Sequence, residues 1–136
     1  MSRRKTRECA LQMLFQNDMT DADPEEIRKL FWASQRAEAG ERAFADHLFQ
    51  KAVENREVID GFIQQFARRW SLRRLAVVDR NLLRMAIAEF LYADTPRAVV
   101  IDEAVEIARR FGTEKSPEFI NGILDAVKDE LERSPA

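Results

Sequence analysis

Cysteine, histidine, glycine and proline are all scarce in this chain of 136 residues, and each scarcity removes a class of function. The single cysteine, Cys9, cannot form an internal disulfide, so a reducing compartment and hence the cytoplasm is the expected location. With His47 as the single histidine, no nitrogen–sulfur ligand set for zinc can be assembled, and no metal site is expected. The four glycines lie far apart; Gly112 and Gly122 flank a helix start, and no Walker-type Lys-Ser/Thr follows to make a phosphate cradle. Long apolar runs are also missing. Stretches such as 98–101 are too short for a membrane span or a signal peptide. Carboxylates are plentiful, but pairs such as Asp102-Glu103 and Asp129-Glu130 have the setting of solvent-facing helix charges rather than of an acid/base pair. No catalytic residue and no cofactor is expected: the chain reads as a binding protein and not an enzyme.

What is present is helix. Hydrophobic residues make up 46% of the chain and charged residues 34%, a balance that folds. Four glycines and four prolines are few for a turn-rich β architecture. The spacing predicts a first helix from Arg3 to Met19, with Cys9, Ala10, Leu11, Met13 and Leu14 as its apolar stripe. Asp23-Pro24-Glu25-Glu26 predicts a helix start, carried by Ile27, Leu30, Phe31 and Ser34 to about Ala37. Gly40 breaks that pattern, and one long third helix is expected from Phe44 to Phe66, including Val58 on or near its buried face. Ser71 caps a short turn, and a helix with Val77, Leu82, Leu83, Met85, Ala86 and Phe90 follows. Thr95-Pro96 and Ser116-Pro117 open two more helices, with Gly112 between them as a left-handed stop, and the tail 133–136 is expected to fray. The fold class is therefore all-α, with six to seven helices.

Charge is unevenly placed. The net charge is -2, yet Arg3, Arg4, Lys5 and Arg7 crowd the first seven positions, so a basic tip sits on an acidic body. Arg3, Arg4 and Arg7 recur at helical spacing, Gln12 lies farther along a similar side, and Phe15 follows. Guanidinium forks, an amide and an aromatic ring on one helix suit single-stranded RNA, whose bases splay out to be stacked and hydrogen-bonded. Taken alone, a solubilising tip with Phe15 in the core is the simpler reading. A second basic segment shifts the balance: Arg68, Arg69, Arg73, Arg74, Arg80 and Arg84 stand against Asp79 alone. Interhelical ion pairs remain open as the alternative, above all for Arg84 within its apolar run.

Four stretches carry a family resemblance: Arg-Glu-Cys-Ala-Leu-Gln at 7–12, Leu-Leu-Arg-Met-Ala at 82–86 with Glu89, Ile-Asp-Glu-Ala-Val-Glu-Ile-Ala at 101–108, and Phe111-Gly112 leading to Phe-Ile-Asn-Gly-Ile-Leu-Asp at 119–125. Together they resemble the bacterial antitermination factor family NusB over nearly the whole chain. The segment from Thr20 to Arg42 adds nothing to the match. The resemblance implies two small helical bundles packed across each other, an N-terminal one over 1–69 and a C-terminal one over 70–136. It also implies binding of boxA-type single-stranded RNA as a heterodimer with the ribosomal protein NusE, in ribosomal RNA transcription, with other Nus factors and RNA polymerase as indirect partners. Arg3, Arg4, Arg7, Gln12, Phe15, Phe119 and Asn121 fall on RNA-facing positions, and Asp79, Arg80 and Arg84 on the NusE-facing region. Phe15 stands where the family often has tyrosine, which keeps stacking and drops a hydroxyl. Lys115 stands in a loop where an acid is expected.

Two other readings fit the same residues less well. A related domain precedes some ribosomal RNA cytosine methyltransferases; for these residues that reading requires a truncation. A helix-turn-helix DNA-binding module would carry its basic residues on the second helix of a tight pair, and none here does. A homodimer that hides the basic face is compatible with the sequence.

Overall fold

The computed structural model describes residues 1–69 and 71–133, and among these it contains seven α-helices, one short 3-10 turn and no strand. Local chemistry sets most of the boundaries. Helix α1 (Arg3–Thr20) starts where the Ser2 hydroxyl accepts from the Lys5 N–H at 3.0 Å, and it ends at Asp21 in the left-handed region with φ 57°. Helix α2 (Pro24–Ala33) opens as expected, with Asp23 accepting from the Glu26 N–H and Pro24 in the first turn.

Helix α2 is shorter than the sequence suggests. It stops at Ala33 rather than about Ala37, and Leu30 lies 66% exposed; only Ile27, Phe31 and Trp32 are buried. The expected long third helix is in fact two, α3 (Ala39–Glu54) and α4 (Arg56–Phe66). No glycine or proline makes the break. Asn55 makes it, by turning its own side chain to donate to the Lys51 carbonyl at 2.9 Å. Gly40 falls inside the first turn of α3, whose Glu41 side chain accepts from the Glu38 N–H, and Val58 is exposed.

After the turn at Leu72–Arg74 come α5 (Val77–Tyr92), α6 (Arg97–Phe111) and α7 (Ser116–Arg133). Pro96 is itself the cap of α6, one position later than the Thr95-Pro96 pattern predicts. Gly112 is extended (φ -94°, ψ -165°) and not left-handed, so its role is spatial: a Cβ there would stand 2.5 Å from the Ser116 side chain and 2.9 Å from the Ala108 carbonyl. Of the tail 133–136 expected to fray, Arg133 closes α7, and 134–136 lie outside the described residues.

Helix α5 is the axis of the fold. Every residue from Asn81 to Phe90 is buried, and α5 packs against α1, α3, α4, α6 and α7. A helix enclosed on all sides reads as a nearly continuous apolar run, which is how 82–90 appears in the sequence. Around it, α1 lies on α3 and α6 lies on α7, which brings the start of α1 beside α6 and the end of α4 beside α7.

Candidate nucleic-acid interface

The three arginines of α1 go to three different places. Arg3 is exposed, with its guanidinium 3.8 Å from the centre of the Phe44 ring. Arg4 points to α6, where Nε donates to the Glu103 carboxylate at 2.7 Å; this bond holds the Glu103 carboxyl below its usual range. Arg7 turns inward. It donates from Nε and Nη2 to both oxygens of Glu89, at 2.8 and 2.7 Å, with the two side chains 5% and 1% exposed. Its guanidinium is committed to the interior, so the sequence-based expectation that Arg7 presents it to RNA does not match its position.

Three surface grooves lie along the α1, α6 and α7 side. The first, about 340 Å³, is walled by Leu11, Gln12, Phe15, Val78 and Phe111. Phe15 is 40% exposed and so is not a core residue, and Gln12 is exposed beside it. Phe111 is the residue that sequence reasoning missed. It lies 39% exposed, with Arg110 above its ring at 5.2 Å and the Arg110 guanidinium 3.4 Å from Glu8. The available signal was its place at the last residue of a helix, where half the neighbours that would bury a ring are absent.

The second groove, about 720 Å³, brings Arg4 together with Asn121 from the last motif. Arg109 adds a second guanidinium, while Asp102, Glu103, Glu106, Glu114 and Glu118 make its floor and rim acidic. The third, about 540 Å³, holds Phe119 between the end of α4 and α7. Glu118 lines both the second and the third, so the two grooves are neighbours at the first turn of α7.

The basic segment of 68–84 divides cleanly. Arg80 donates from Nε and Nη2 to Asp18 at 2.9 and 2.7 Å and from Nη1 to the Leu72 carbonyl at 3.2 Å. Arg84 holds Asp60 at 2.8 and 3.0 Å and Asn81 at 3.1 Å. These two tie α5 to α1 and α4 from inside, the ion-pair alternative left open by the sequence. Burial would raise the Asp18 carboxyl, but the hydrogen bonds from Asn81 and Arg80 and the charges of Arg80 and Arg84 outweigh it and hold the carboxyl low. Asp79 is buried too, with Oδ1 lacking a hydrogen bond; desolvation pushes its carboxyl up, and a bond to Ser116 offsets part of this. By contrast Arg68, Arg69, Arg73 and Arg74 are exposed and form no ion pair among the described residues.

Cys9 is buried, and burial pushes its thiol up. The His47 Nε2 lies 2.7 Å from the Tyr92 carbonyl, a structural bond. Among the described residues no group of side chains could hold a metal ion, and no helix is long and apolar enough to cross a membrane.

Fold and surface together define an all-α protein whose candidate site is a run of grooves lined by arginine, amide and aromatic side chains. The sequence model of the NusB family matches residues 4–129, and the chain belongs to that family. It is 49% identical over 133 residues to the transcription antitermination protein NusB of Koribacter versatilis, covering 96% of this chain and 91% of the relative. Its fold superposes on T. maritima NusB with a TM-score of 0.87 at 40% identity, covering 96% and 92% of the two chains. A crystal structure of the antitermination factors NusB and NusE in complex with double-stranded RNA contains a chain that matches with a TM-score of 0.84 at 28% identity, covering 96% and 99%.

Proposed function

We propose that this chain is a cytoplasmic transcription antitermination factor that binds boxA-type single-stranded RNA as a heterodimer with NusE, without catalysing a reaction. Family membership sets the class, and one geometric observation carries the site: Arg4 from the first helix and Asn121 from the last line the same groove. In this reading Arg3 and Arg4 take phosphates, Gln12 and Asn121 offer amide hydrogen bonds, and Phe15 and Phe119 stack bases. Arg7 serves the same surface from behind, by fixing α1 against α5. Asp79, Arg80 and Arg84 serve NusE binding by fixing the start of α5. The division into bundles at 1–69 and 70–136 is part of this reading, with α5 as the element both share; its boundary falls at Trp70, outside the described residues.

The acidic rim of the second groove bears on affinity. Arg4 is already paired with Glu103, so RNA must compete for its guanidinium. This favours weak binding by the chain alone and stronger binding in a heterodimer that adds contacts. The test is a gel-shift titration with a boxA RNA and a scrambled control, with and without purified NusE. Preference for boxA, strengthened by NusE, is the expected result. Equal or absent binding of both RNAs with NusE present would sink the proposal.

A further inference from the structure

We infer that the RNA path continues from Phe119 along the groove between the end of α4 and α7, with Arg68 and Arg69 as the phosphate-binding residues for a flanking nucleotide. The inference rests on the RNA-binding reading above, and two observations support it. First, the groove sets aromatic beside basic side chains: Phe66, Phe119, Arg68 and Arg69 all line it, and Glu118 is the one acid among its described lining residues. Arg68 spends its Nε on the Gln65 carbonyl at 3.0 Å, and Arg69 makes no ion pair among the described residues, so donors remain for an anion. A ring with guanidinium groups beside it is the arrangement that holds an unpaired nucleotide, with the base on the ring and the phosphate on the fork.

Second, the groove adjoins the one that holds Arg4 and Asn121, because Glu118 lines both. A chain leaving Asn121 around the start of α7 arrives at Phe119 and then at Arg68 and Arg69. Stacking and phosphate contact carry no base code, so the subsite takes a flanking nucleotide without sequence preference.

The experiment compares a boxA RNA core with the same core extended by a few uridines at its 5′ or 3′ end, binding to the full-length chain with NusE. Wild type should bind one of the extended RNAs roughly fivefold tighter or better than the core. Arg68→Ala/Arg69→Ala should bind the core like wild type, lose the gain from extension, and flatten the salt slope for the extended RNA by about 1.4. No gain from either extension in wild type, or a full gain in the double variant, overturns the inference. So does a double variant that binds every RNA normally but no longer captures NusE, since the groove would then be a protein contact. A core RNA that fails to bind at all overturns the proposed function itself, and the subsite with it.

Discussion

Arg7 and Glu89, 82 residues apart, form a buried two-bond ion pair that pins the first helix to the central one. Removing one partner strands the other's charge inside the protein. Arg7→Ala should therefore cost about 3–5 kcal/mol of folding stability. Arg3→Ala, which gives up an exposed contact with Phe44, should cost about 0.5–1 kcal/mol. Urea unfolding of the two variants measures the difference, and equal midpoints would show that Arg7 is no interior tie.

Arg84 has the same character, held by Asp60 and Asn81. Arg84→Ala should lower the melting temperature strongly, again by about 3–5 kcal/mol in stability. A variant of wild-type stability that no longer binds NusE would move Arg84 from the interior to the interface.

Two glycines give opposite expectations. Gly112→Ala forces a Cβ into Ser116 and the Ala108 carbonyl and should destabilise by about 1–3 kcal/mol. Gly61→Ala meets nothing within 4 Å in the middle of α4 and should stabilise by about 0.5–1 kcal/mol. Thermal melts of both variants decide it.

Asp18 and Asp79 predict opposite pH dependences. The folded Asp18 carboxyl lies below its unfolded value, so its contribution is present above that value and is lost as pH falls through the lowered one. The folded Asp79 carboxyl lies above its unfolded value, so stability falls as pH rises from the unfolded value through the raised one. Asp79→Asn should thus be more stable than wild type near neutrality, with the gap closing in acid. Asp18→Asn should be less stable near neutrality, with its deficit shrinking in acid. Stability measured across pH tests both signs.

The exposed rings of the first groove should matter for binding and little for folding. Phe15→Ala and Phe111→Ala should each weaken RNA binding roughly fivefold or more if a base stacks there, with melting temperatures near wild type. Unchanged RNA affinity in both variants would remove this groove from the RNA path.

The start of α2 is legible because its chemistry is local: Asp23 with Pro24 announces it within four residues. The break between α3 and α4 is not, because Asn55 makes it with a side-chain bond that an Asn in a helical pattern does not advertise. The spacing of Arg3, Arg4 and Arg7 gave their relative directions on α1 but not which direction faced solvent. That depends on Phe44, Glu89 and Glu103, all far along the chain. The same distance hid the fate of Arg80 and Arg84, whose acids lie on α1 and α4, whereas Arg68 and Arg69 kept the exposed character that their composition suggested.

The central position of α5 bears on the order of events during synthesis. A nascent chain that stops short of α5 has made Arg7, Asp18 and Asp60 without Glu89, Arg80 or Arg84 to meet them. The helix that carries the amino-terminal arginines therefore cannot lock until the middle of the protein has been translated. The surface proposed to take RNA is finished late, as a product of the whole chain.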